Sequence, residues 1–368
     1  MAGYEEIAVS LWNISSHGDR RDDGSRAAPD GFAPCSGILH ADEIELKAHA
    51  AGTKQPTGPG GRSGSNPGGT PKWCGLRLYD LTTVSPTTTD RKSAMSALNA
   101  IAPAKLMRLL GTPKCPVLID VRTAEEAGDR LFSAAITRNG ADVSLWGKDY
   151  AGREVVVICH NGRAASPGVA AWLRHHGADA QILDGGVLGW MAEKLPMVEV
   201  GALPPRDDRG RTVWVTRARP KVDRIACPWL IRRFVDPDAV FLFVAPSEIQ
   251  AVGLGFGATP FDVSGEGLRW THRGELCTFD AMVQDFGLGE WEPLARLAAI
   301  VRGADTDRLK LVPEAAGLLA LSLGLSRMFD DDHAQLEAGM LVYDALYRWC
   351  RDAYDETHNW TSHRPRRG

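Results

Sequence analysis

Cys159 is the residue of this chain whose neighbours are best suited to covalent chemistry. The run before it, residues 153–158, is rich in β-branched side chains and is typical of a buried strand. Residues 165–174, with Pro167 near their start, have the pattern of a helix. A thiol placed between a strand and a helix N-terminus faces unpaired main-chain N–H groups and the positive end of the helix dipole. Both favour the thiolate, so the sequence predicts a cysteine that is nucleophilic near neutral pH.

A second set of polar residues with ligand character lies in the C-terminal part of the chain. His333 and Glu337 are four positions apart on a predicted helix and therefore share one face. Asp305 follows a glycine turn, and His272 follows a strand-like run. Their nitrogen and oxygen donors suit Zn, Fe or Mn, so a divalent metal site is one interpretation. The other is a His–Glu pair on a helix face, with nearby carboxylates capping helices.

Basic side chains are concentrated in the region that begins at residue 217. Arg217, Lys221 and Arg224 are candidates for binding a tetrahedral oxyanion, because a guanidinium fork matches the oxygen atoms of such a ligand. The competing interpretation is a solvated helix face whose charges pair with nearby aspartates.

The elements that must position Cys159 follow an alternating pattern. Residues 115–121 and 181–184 have the composition of further buried strands, and a glycine-rich turn at 185–189 opens a helix. Strands that alternate with helices predict a parallel sheet with helices on both faces. We assign this α/β domain to residues 95–200, a polar linker to 201–211, a mixed, mostly helical α+β domain to 212–356 and a polar tail to 357–368.

Residues 1–94 differ in composition from the rest of the chain. They include the run PTGPGGRSGSNPGGT at 56–70 and show little apolar periodicity. Such a segment buries too little surface to offset the entropy lost on ordering. We therefore expect a largely irregular, low-complexity extension that is disordered or precedes a natural start at Met95.

Bulk properties argue against several classes of protein. A net charge of -4 gives no basic footprint, so direct DNA binding is not expected. No apolar stretch approaches the roughly 18 residues of a membrane-spanning helix. The seven cysteines form no CxxC pair and do not indicate a disulfide framework. Because the N-terminus also lacks a signal-peptide pattern, the sequence predicts a cytoplasmic protein.

The sequence contains, in order, the motifs Leu118–Arg122, Val156–Cys159 and Asp184–Trp190. This order and spacing resemble rhodanese-type sulfurtransferase domains across residues 100–197. The resemblance implies that Cys159 takes up a sulfane sulfur as a persulfide and passes it to cyanide or a thiol, without a cofactor. The main-chain amides that would hold the persulfide belong to the loop His160, Asn161, Gly162, Arg163 and Ala164.

Two loop positions depart from the pattern of active rhodaneses, which usually carry Arg one and five positions after the cysteine. His160 and Ala164 stand there in this chain, and Arg163 lies one place earlier, where it is expected to assist electrostatically. Asp120 either orients the loop or caps secondary structure. Ala165 occupies the position where phosphatases of a related fold need arginine to clamp phosphate, which disfavours phosphatase activity.

Further motifs fill the C-terminal region: Trp214–Phe234, Pro260–Val263, His272–Asp280, Val301–Arg308 and Asp332–Met340. Together, over residues 213–353, they resemble the C-terminal domain of chromate-resistance proteins of the ChrB type. The resemblance implies a role in the response to chromate, often beside a chromate efflux transporter, and in some members a regulatory function.

We therefore predict a rhodanese-like sulfurtransferase joined to a domain that senses or handles chromate. Its partners would be a small-molecule sulfur donor and a thiol or cyanide acceptor. Two alternatives stay open. In one, Cys159 is a buried structural thiol, and the rhodanese fold is a docking platform in a chromate or metal sensor. In the other, the C-terminal domain is itself a metal-dependent enzyme.

Overall fold

The computed structural model describes residues 99–163, 165–265 and 267–356. The predictions for residues 1–94 and for the tail 357–368 lie outside these ranges. The strands are β1 (Ala100–Ile101), β2 (Val117–Asp120), β3 (Arg130–Phe132), β4 (Ala135–Thr137), β5 (Glu154–Ile158), β6 (Asp179–Leu183), β7 (Met197–Glu199), β8 (Val213–Arg217), β9 (Val240–Val244) and β10 (Thr259–Pro260). The α-helices are α1 (Pro103–Leu109), α2 (Ala124–Ala127), α3 (Val143–Trp146), α4 (Ala165–His175), α5 (Gly186–Ala192), α6 (Asp223–Leu230), α7 (Ile249–Phe256), α8 (Thr278–Asp285), α9 (Glu292–Asp305), α10 (Glu314–Met328) and α11 (Asp332–Asp352).

Shorter helical turns connect some of these elements. They are the 3₁₀ helices Gly140–Asp142, Gly147–Tyr150, Val200–Ala202 and Pro246–Glu248, and the π-helical turn Ile231–Val235, which continues α6.

A parallel sheet in the order β1-β6-β5-β2-β4 positions the cysteine. The centre of β5, Val155–Ile158, is almost completely buried, as expected for a strand covered on both faces. Asp120, the last residue of β2, lies opposite Ile158 in the register. Asp120 and Cys159 therefore lie at the same, carboxyl edge of the sheet. The predicted α/β fold is confirmed.

The C-terminal region combines a small parallel sheet, in the order β10-β8-β9, with a larger set of helices. Helix α9 packs against α10 and α11, and α6 packs against α8 and α11. Trp229 of α6 is fully buried, and its indole N–H donates to Asp344 Oδ1 at 2.8 Å. Arg233 also binds Asp344, at 2.8 and 2.9 Å, which balances the charge of this buried carboxylate. The predicted mostly helical α+β region is confirmed.

The largest hydrophobic core extends through both regions, beside one smaller buried cluster within each region, and the described residues lie within one compact unit. Leu106 and Trp190 of the α/β region belong to the same buried cluster as Trp229 and Tyr347 of the helical region. Since apolar burial contributes roughly 25 cal/mol per Å², each region stabilises the other.

Polar contacts join the same two regions. The Ala134 N–H donates to the Phe234 carbonyl at 2.7 Å. Arg351 of α11 donates to the carbonyls of Met107 and Leu110, at 3.0 and 3.1 Å, at the end of α1. A helix C-terminus leaves carbonyls without intrahelical partners, so Arg351 completes α1 from the other region.

The segment 201–211, predicted as a polar linker, makes defined contacts along its length. Ala202 is buried in the shared core. Arg206 forms an isolated β-bridge with Thr212, and its guanidinium lies 3.4 Å from Asp236 Oδ2. Asp207 accepts hydrogen bonds from the main chain and the guanidinium of Arg211, closing a local turn. This segment is thus attached to the C-terminal region before β8 begins.

Candidate functional site

Cys159 lies directly after β5, with its sulfur facing the first turn of α4. The residue is 4% exposed. Its Sγ lies 3.1 Å from the hydroxyl oxygen of Ser166, which is itself buried. The main-chain N–H groups of Asn161, Gly162 and Ser166 also donate to this sulfur. The sulfur is therefore surrounded by donors on the loop side although its strand is packed in the core.

These donors decide the protonation state of the thiol. Burial raises the pKa of Cys159, whereas the Ser166 hydroxyl and the main-chain N–H groups of Ser166, Gly162 and Asn161 lower it. The hydrogen bonds outweigh burial, so the pKa of Cys159 lies below its ordinary value. Hydrogen bonds to the charged form favour that form, so the site stabilises a thiolate.

The other described cysteines behave in the opposite way. Burial raises the pKa of Cys115 to about 12 and that of Cys350 to about 12. Burial also raises the pKa values of Cys227 and Cys277. Within residues 99–163, 165–265 and 267–356, the shift toward the thiolate is therefore particular to Cys159.

Glycines hold the loop in contact with the start of α5. A Cβ at Gly186 would lie 2.5 Å from both the Cys159 carbonyl oxygen and the Gly162 nitrogen. The N–H groups of Val187 and Leu188 donate to the carbonyls of Cys159 and His160, each at 3.0 Å. The glycine-rich turn is therefore needed because any side chain at Gly186 would push the loop away.

The remaining predicted loop residues occupy different environments. Asn161 Oδ1 accepts the Arg163 N–H at 3.1 Å, which tightens the loop, and the Arg163 side chain is exposed. His160 is half-buried, and its Nδ1 is buried without a hydrogen-bond partner among the described residues. Ala164 lies outside the described residues.

Asp120 makes a buried ion pair at the same sheet edge. Arg122 contacts both of its carboxylate oxygens, with Nη2 2.7 Å from Oδ2 and Nε 3.1 Å from Oδ1. The guanidinium also donates to the carbonyls of Glu126 and Arg130. These contacts fix the turn after β2, so they support the structural interpretation of Asp120 rather than a direct role at the sulfur.

A second constellation lies in the C-terminal region, where four side chains converge from four segments. Asp223 begins α6, Asp262 follows β10, His272 lies in the loop before α8, and Asp305 ends α9. One ligand atom from each lies within 4.8 Å of the others. These four residues are called the Asp/His group below. The structure thus brings together two predicted ligands, His272 and Asp305, with two aspartates that were not predicted.

The His272 imidazole lies close to all three carboxylates of this group. Its Nε2 is 3.1 Å from Asp305 Oδ2, 3.6 Å from Asp262 Oδ1 and 3.7 Å from Asp223 Oδ2. The nearby Asp262 carboxylate raises the pKa of His272 to about 9, with the charges of Asp223 and Asp305 acting in the same direction. Burial, and then the neighbouring carboxylates, raise the pKa of Asp223 and that of Asp305.

The other two predicted ligands, His333 and Glu337, do not join the Asp/His group. Glu337 is exposed on α11 and pairs with Arg232 at 2.6 Å. The His333 ring packs edge-on against Phe243, with ring centroids 5.3 Å apart. Both residues do lie on α11, as their spacing predicted. Glu337 contacts Arg232 and His333 contacts Phe243, so neither side chain lies with the other predicted ligands.

The predicted oxyanion residues are largely engaged by protein groups. Arg217 Nη2 and Arg224 Nε lie 3.3 and 3.1 Å from Asp262 Oδ2. Lys221 is half-buried, and burial together with the nearby charge of Arg224 lowers its pKa. Arg217 also lines a cavity of about 630 Å³, together with Gln250 and Leu268 among others. Pairing with an aspartate therefore holds for Arg217 and Arg224.

Neither Asp223 nor Asp262 stood out as a ligand in the sequence. Asp223 sits in a basic stretch, where pairing with arginine is the simpler expectation, and Asp262 lies between apolar residues after Pro260. The sequence signal that could have identified Asp262 is its place inside an apolar run. A carboxylate in such a run is expected to be buried, and a buried carboxylate almost always has a partner.

The fold and the cysteine loop define a rhodanese-like domain, followed by a second region with its own polar site. The rhodanese-like domain family matches residues 102–193, and the family described as ChrB, C-terminal domain, matches residues 214–350. The chain therefore joins a rhodanese-like domain to a ChrB C-terminal domain. This confirms both resemblances found in the sequence.

Among individual proteins, the chain is similar to Protein ChrB of Cupriavidus metallidurans, with 37% identity over 153 residues. The match covers 40% of this chain and 44% of that protein, so it spans less than half of either.

Similar solved structures include a rhodanese-related protein from Thermoplasma volcanium, at 22% identity and a TM-score of 0.25, covering 27% of this chain and 98% of that one. A rhodanese-like domain protein from Staphylococcus aureus is 23% identical with a TM-score of 0.24, covering 25% and 91%. A thiosulfate sulfurtransferase from Pseudomonas aeruginosa is 17% identical with a TM-score of 0.24, covering 28% and 20%.

In the described part of the chain, no helix is both long enough and apolar enough to cross a membrane.

Proposed function

We propose that Cys159 accepts a sulfane sulfur as a persulfide and passes it to a small nucleophile, in a protein that takes part in the response to chromate. The observation that carries this proposal is the set of donors around Sγ: the Ser166 hydroxyl and the main-chain N–H groups of Asn161, Gly162 and Ser166. Such fixed donors stabilise negative charge on sulfur before and after transfer.

The chemistry needs two displacements at sulfur. The Cys159 thiolate attacks the outer sulfur of a donor such as thiosulfate, so an S–S bond to Sγ forms, the S–S bond of thiosulfate breaks, and sulfite leaves with the bonding electrons. Cyanide or a thiolate then attacks the outer sulfur of the persulfide, and Sγ leaves as a thiolate. Both the attacking and the leaving form of Cys159 are anionic, so the same donors assist both steps.

The link to chromate rests on the ChrB similarity of the second region. The packing supports a functional link, since the two regions share one hydrophobic core rather than being joined by a free tether. A change in one region therefore has a direct physical route to the other.

Incubation of the protein with thiosulfate and then cyanide tests the proposal. We expect thiocyanate from the wild type, none above background from Cys159→Ala, and unchanged yield from the control Cys115→Ala, because burial keeps the Cys115 thiol protonated. Mass spectrometry after the thiosulfate step should show one added sulfur on the peptide containing Cys159. Equal thiocyanate yields from the wild type and Cys159→Ala would reject the proposal.

One observation favours a second candidate, a sensor in which the rhodanese fold is a docking platform. Cys159 is 4% exposed, which leaves little room for an acceptor to reach the sulfur. This alternative predicts chromate binding, measured by calorimetry, that is equal in the wild type and Cys159→Ala, with no thiocyanate from either.

A further inference from the structure

The Asp/His group has the composition and placement of a cation site. Its three carboxylates and one imidazole supply oxygen and nitrogen donors, and no thiolate is among them. Three of the four side chains are largely withdrawn from solvent, with 0%, 9% and 18% of the Asp223, Asp262 and Asp305 side chains exposed. Carboxylates brought this close repel one another unless a positive charge lies between them.

The deepest of these side chains leaves an oxygen without a partner. Asp223 Oδ2 accepts the main-chain N–H groups of Thr278 and Phe279, at 2.6 and 3.3 Å, which fix the carboxylate at the start of α8. Asp223 Oδ1 is buried and has no hydrogen-bond partner among the described residues. A buried carboxylate oxygen without a partner costs free energy, so its position within this group points to a ligand.

The other two carboxylates are held in place by neighbouring groups. Arg217 and Arg224 contact Asp262 Oδ2, while Asp262 Oδ1 accepts the Thr278 hydroxyl and lies 3.6 Å from His272 Nε2. The Asp223 N–H donates to Asp305 Oδ1 at 3.4 Å, and Asp305 Oδ2 lies 3.1 Å from His272 Nε2. In Asp262 and Asp305 one oxygen is therefore held by a neighbouring group while the other lies toward the imidazole, as is usual when outer contacts position metal ligands.

His272 supplies the nitrogen donor and the accessible side of the group. Its side chain is 42% exposed, in contrast to the three carboxylates. An imidazolium at this position also has positive charge, but its Nε2 is 3.7 Å from the nearer Asp223 oxygen, which is beyond hydrogen-bond distance. The imidazolium therefore leaves the Asp223 carboxylate incompletely satisfied, whereas a cation among the four donors would contact it.

From this arrangement we propose that the Asp/His group binds one divalent transition-metal cation through three carboxylates and the His272 imidazole. A donor set rich in oxygen with a single nitrogen suits Mn²⁺ or Fe²⁺ better than a closed structural zinc site, which prefers thiolate and imidazole. The exposed edge at His272 leaves a coordination position for water or for an external ligand. The site is independent of Cys159 and of sulfur transfer.

Mn²⁺ binding to the untagged full-length protein tests this site. After removal of metals with a chelator, we expect stoichiometric Mn²⁺ uptake, measured as loss of the free Mn²⁺ electron paramagnetic resonance signal, and a rise in Tm with Mn²⁺ concentration. His272→Gln and Asp305→Asn should each weaken binding at least about tenfold, since even outer contacts of metal ligands are worth that much. Electron spin echo measurements should detect imidazole nitrogen at the bound Mn²⁺ in the wild type and lose it in His272→Gln.

The matched controls come from α11. His333→Gln and Glu337→Gln remove the same side-chain types outside the Asp/His group, so both should bind Mn²⁺ like the wild type. Circular dichroism of each metal-free variant checks folding, and His272→Gln decides the matter if Asp305→Asn does not fold, because His272 is substantially exposed. The proposal is overturned if the wild type binds no stoichiometric Mn²⁺, if His272→Gln binds it equally well, or if the α11 variants lose it.

Discussion

At the scale of single residues, the chemistry of Cys159 depends on a balance between burial and hydrogen bonding. Burial raises the pKa of a thiol, yet the pKa of Cys159 is lowered, with Ser166 supplying the largest of the opposing contributions. Ser166 contributes both its hydroxyl and its main-chain N–H. The hydroxyl can be removed by substitution without altering the main-chain donors, which isolates its contribution.

We expect Ser166→Ala to raise the pKa of Cys159, because the thiolate loses one donor while the burial that opposes ionisation stays. The measurement is the pH dependence of the iodoacetamide reaction, followed on the Cys159 peptide by mass spectrometry. In the wild type the midpoint should lie below that of glutathione under the same conditions, and in Ser166→Ala it should be higher. Thiocyanate formation should fall roughly tenfold, less than for loss of a principal oxyanion donor, because main-chain donors remain.

Ser133→Ala serves as the control, since Ser133 is also buried and donates to the Pro196 carbonyl, away from the sulfur. It should leave the Cys159 midpoint unchanged. A midpoint in Ser166→Ala equal to that of the wild type would show that the main-chain donors alone set the pKa.

Single residues also show where prediction from sequence succeeds and fails. The position of Cys159 between a strand and a helix start was predictable because its surroundings are local in the chain. Asp223 and Asp262 were not, because they meet His272 only through contacts between segments far apart in the chain. His333 and Glu337 were predicted as ligands from their i, i+4 spacing. This spacing fixes a shared helix face but does not specify what that face contacts.

At the scale of elements, the start of α5 supports the cysteine loop. Gly186 has a φ of 58° and lies so close to the loop that an added Cβ would meet the Cys159 carbonyl oxygen and the Gly162 nitrogen at 2.5 Å. Gly152 has a φ of 74° but has nothing within 4 Å of such a Cβ. An alanine at Gly152 would introduce backbone strain alone, whereas an alanine at Gly186 would also displace the loop. Comparing the two variants therefore separates the two effects.

Gly186→Ala should therefore raise the Cys159 alkylation midpoint and reduce thiocyanate formation to near background, since the main-chain donors move away from Sγ. Gly152→Ala should keep both properties and lose about 1–2 kcal/mol of stability from left-handed strain. Urea unfolding measures the stability, and alkylation measures the site. Retained alkylation behaviour in Gly186→Ala would mean that the loop does not depend on this contact.

Sequence patterns were a good guide at this scale. The glycine-rich turn predicted at 185–189 does open α5. The predicted strand at 115–121 is shorter in the structure, Val117–Asp120, because Cys115 and Pro116 precede the pairing with β5. Such boundaries depend on the neighbouring strand, which local composition does not describe.

At the scale of the whole molecule, the two family-matched regions are packed into one body. Leu106 and Trp229 are buried in the same cluster, but a hydrophobic residue in a sequence does not specify the element that covers it. The shared core was therefore not visible in the sequence, although both regions were. Its physical consequence is that a disturbance at the contact between them should lower the stability of the entire described unit.

Gly111 provides the sharpest test of that consequence, because it lies just after α1 with a φ of 74°, and an added Cβ would lie 2.5 Å from the Tyr347 ring and 2.7 Å from the Phe234 ring. We expect Gly111→Ala to lose about 1–2 kcal/mol from left-handed strain and about 1–3 kcal/mol more from overpacking against the C-terminal region. The matched variant Gly152→Ala has the same φ of 74° and open space around the added Cβ, so it should show the strain alone. If the regions unfold together, chemical denaturation of Gly111→Ala monitored by tryptophan fluorescence and by Cys159 alkylation should give one coincident transition, shifted below that of Gly152→Ala. Equal midpoints for the two variants, or separate transitions for the two probes, would mean that the regions are energetically independent.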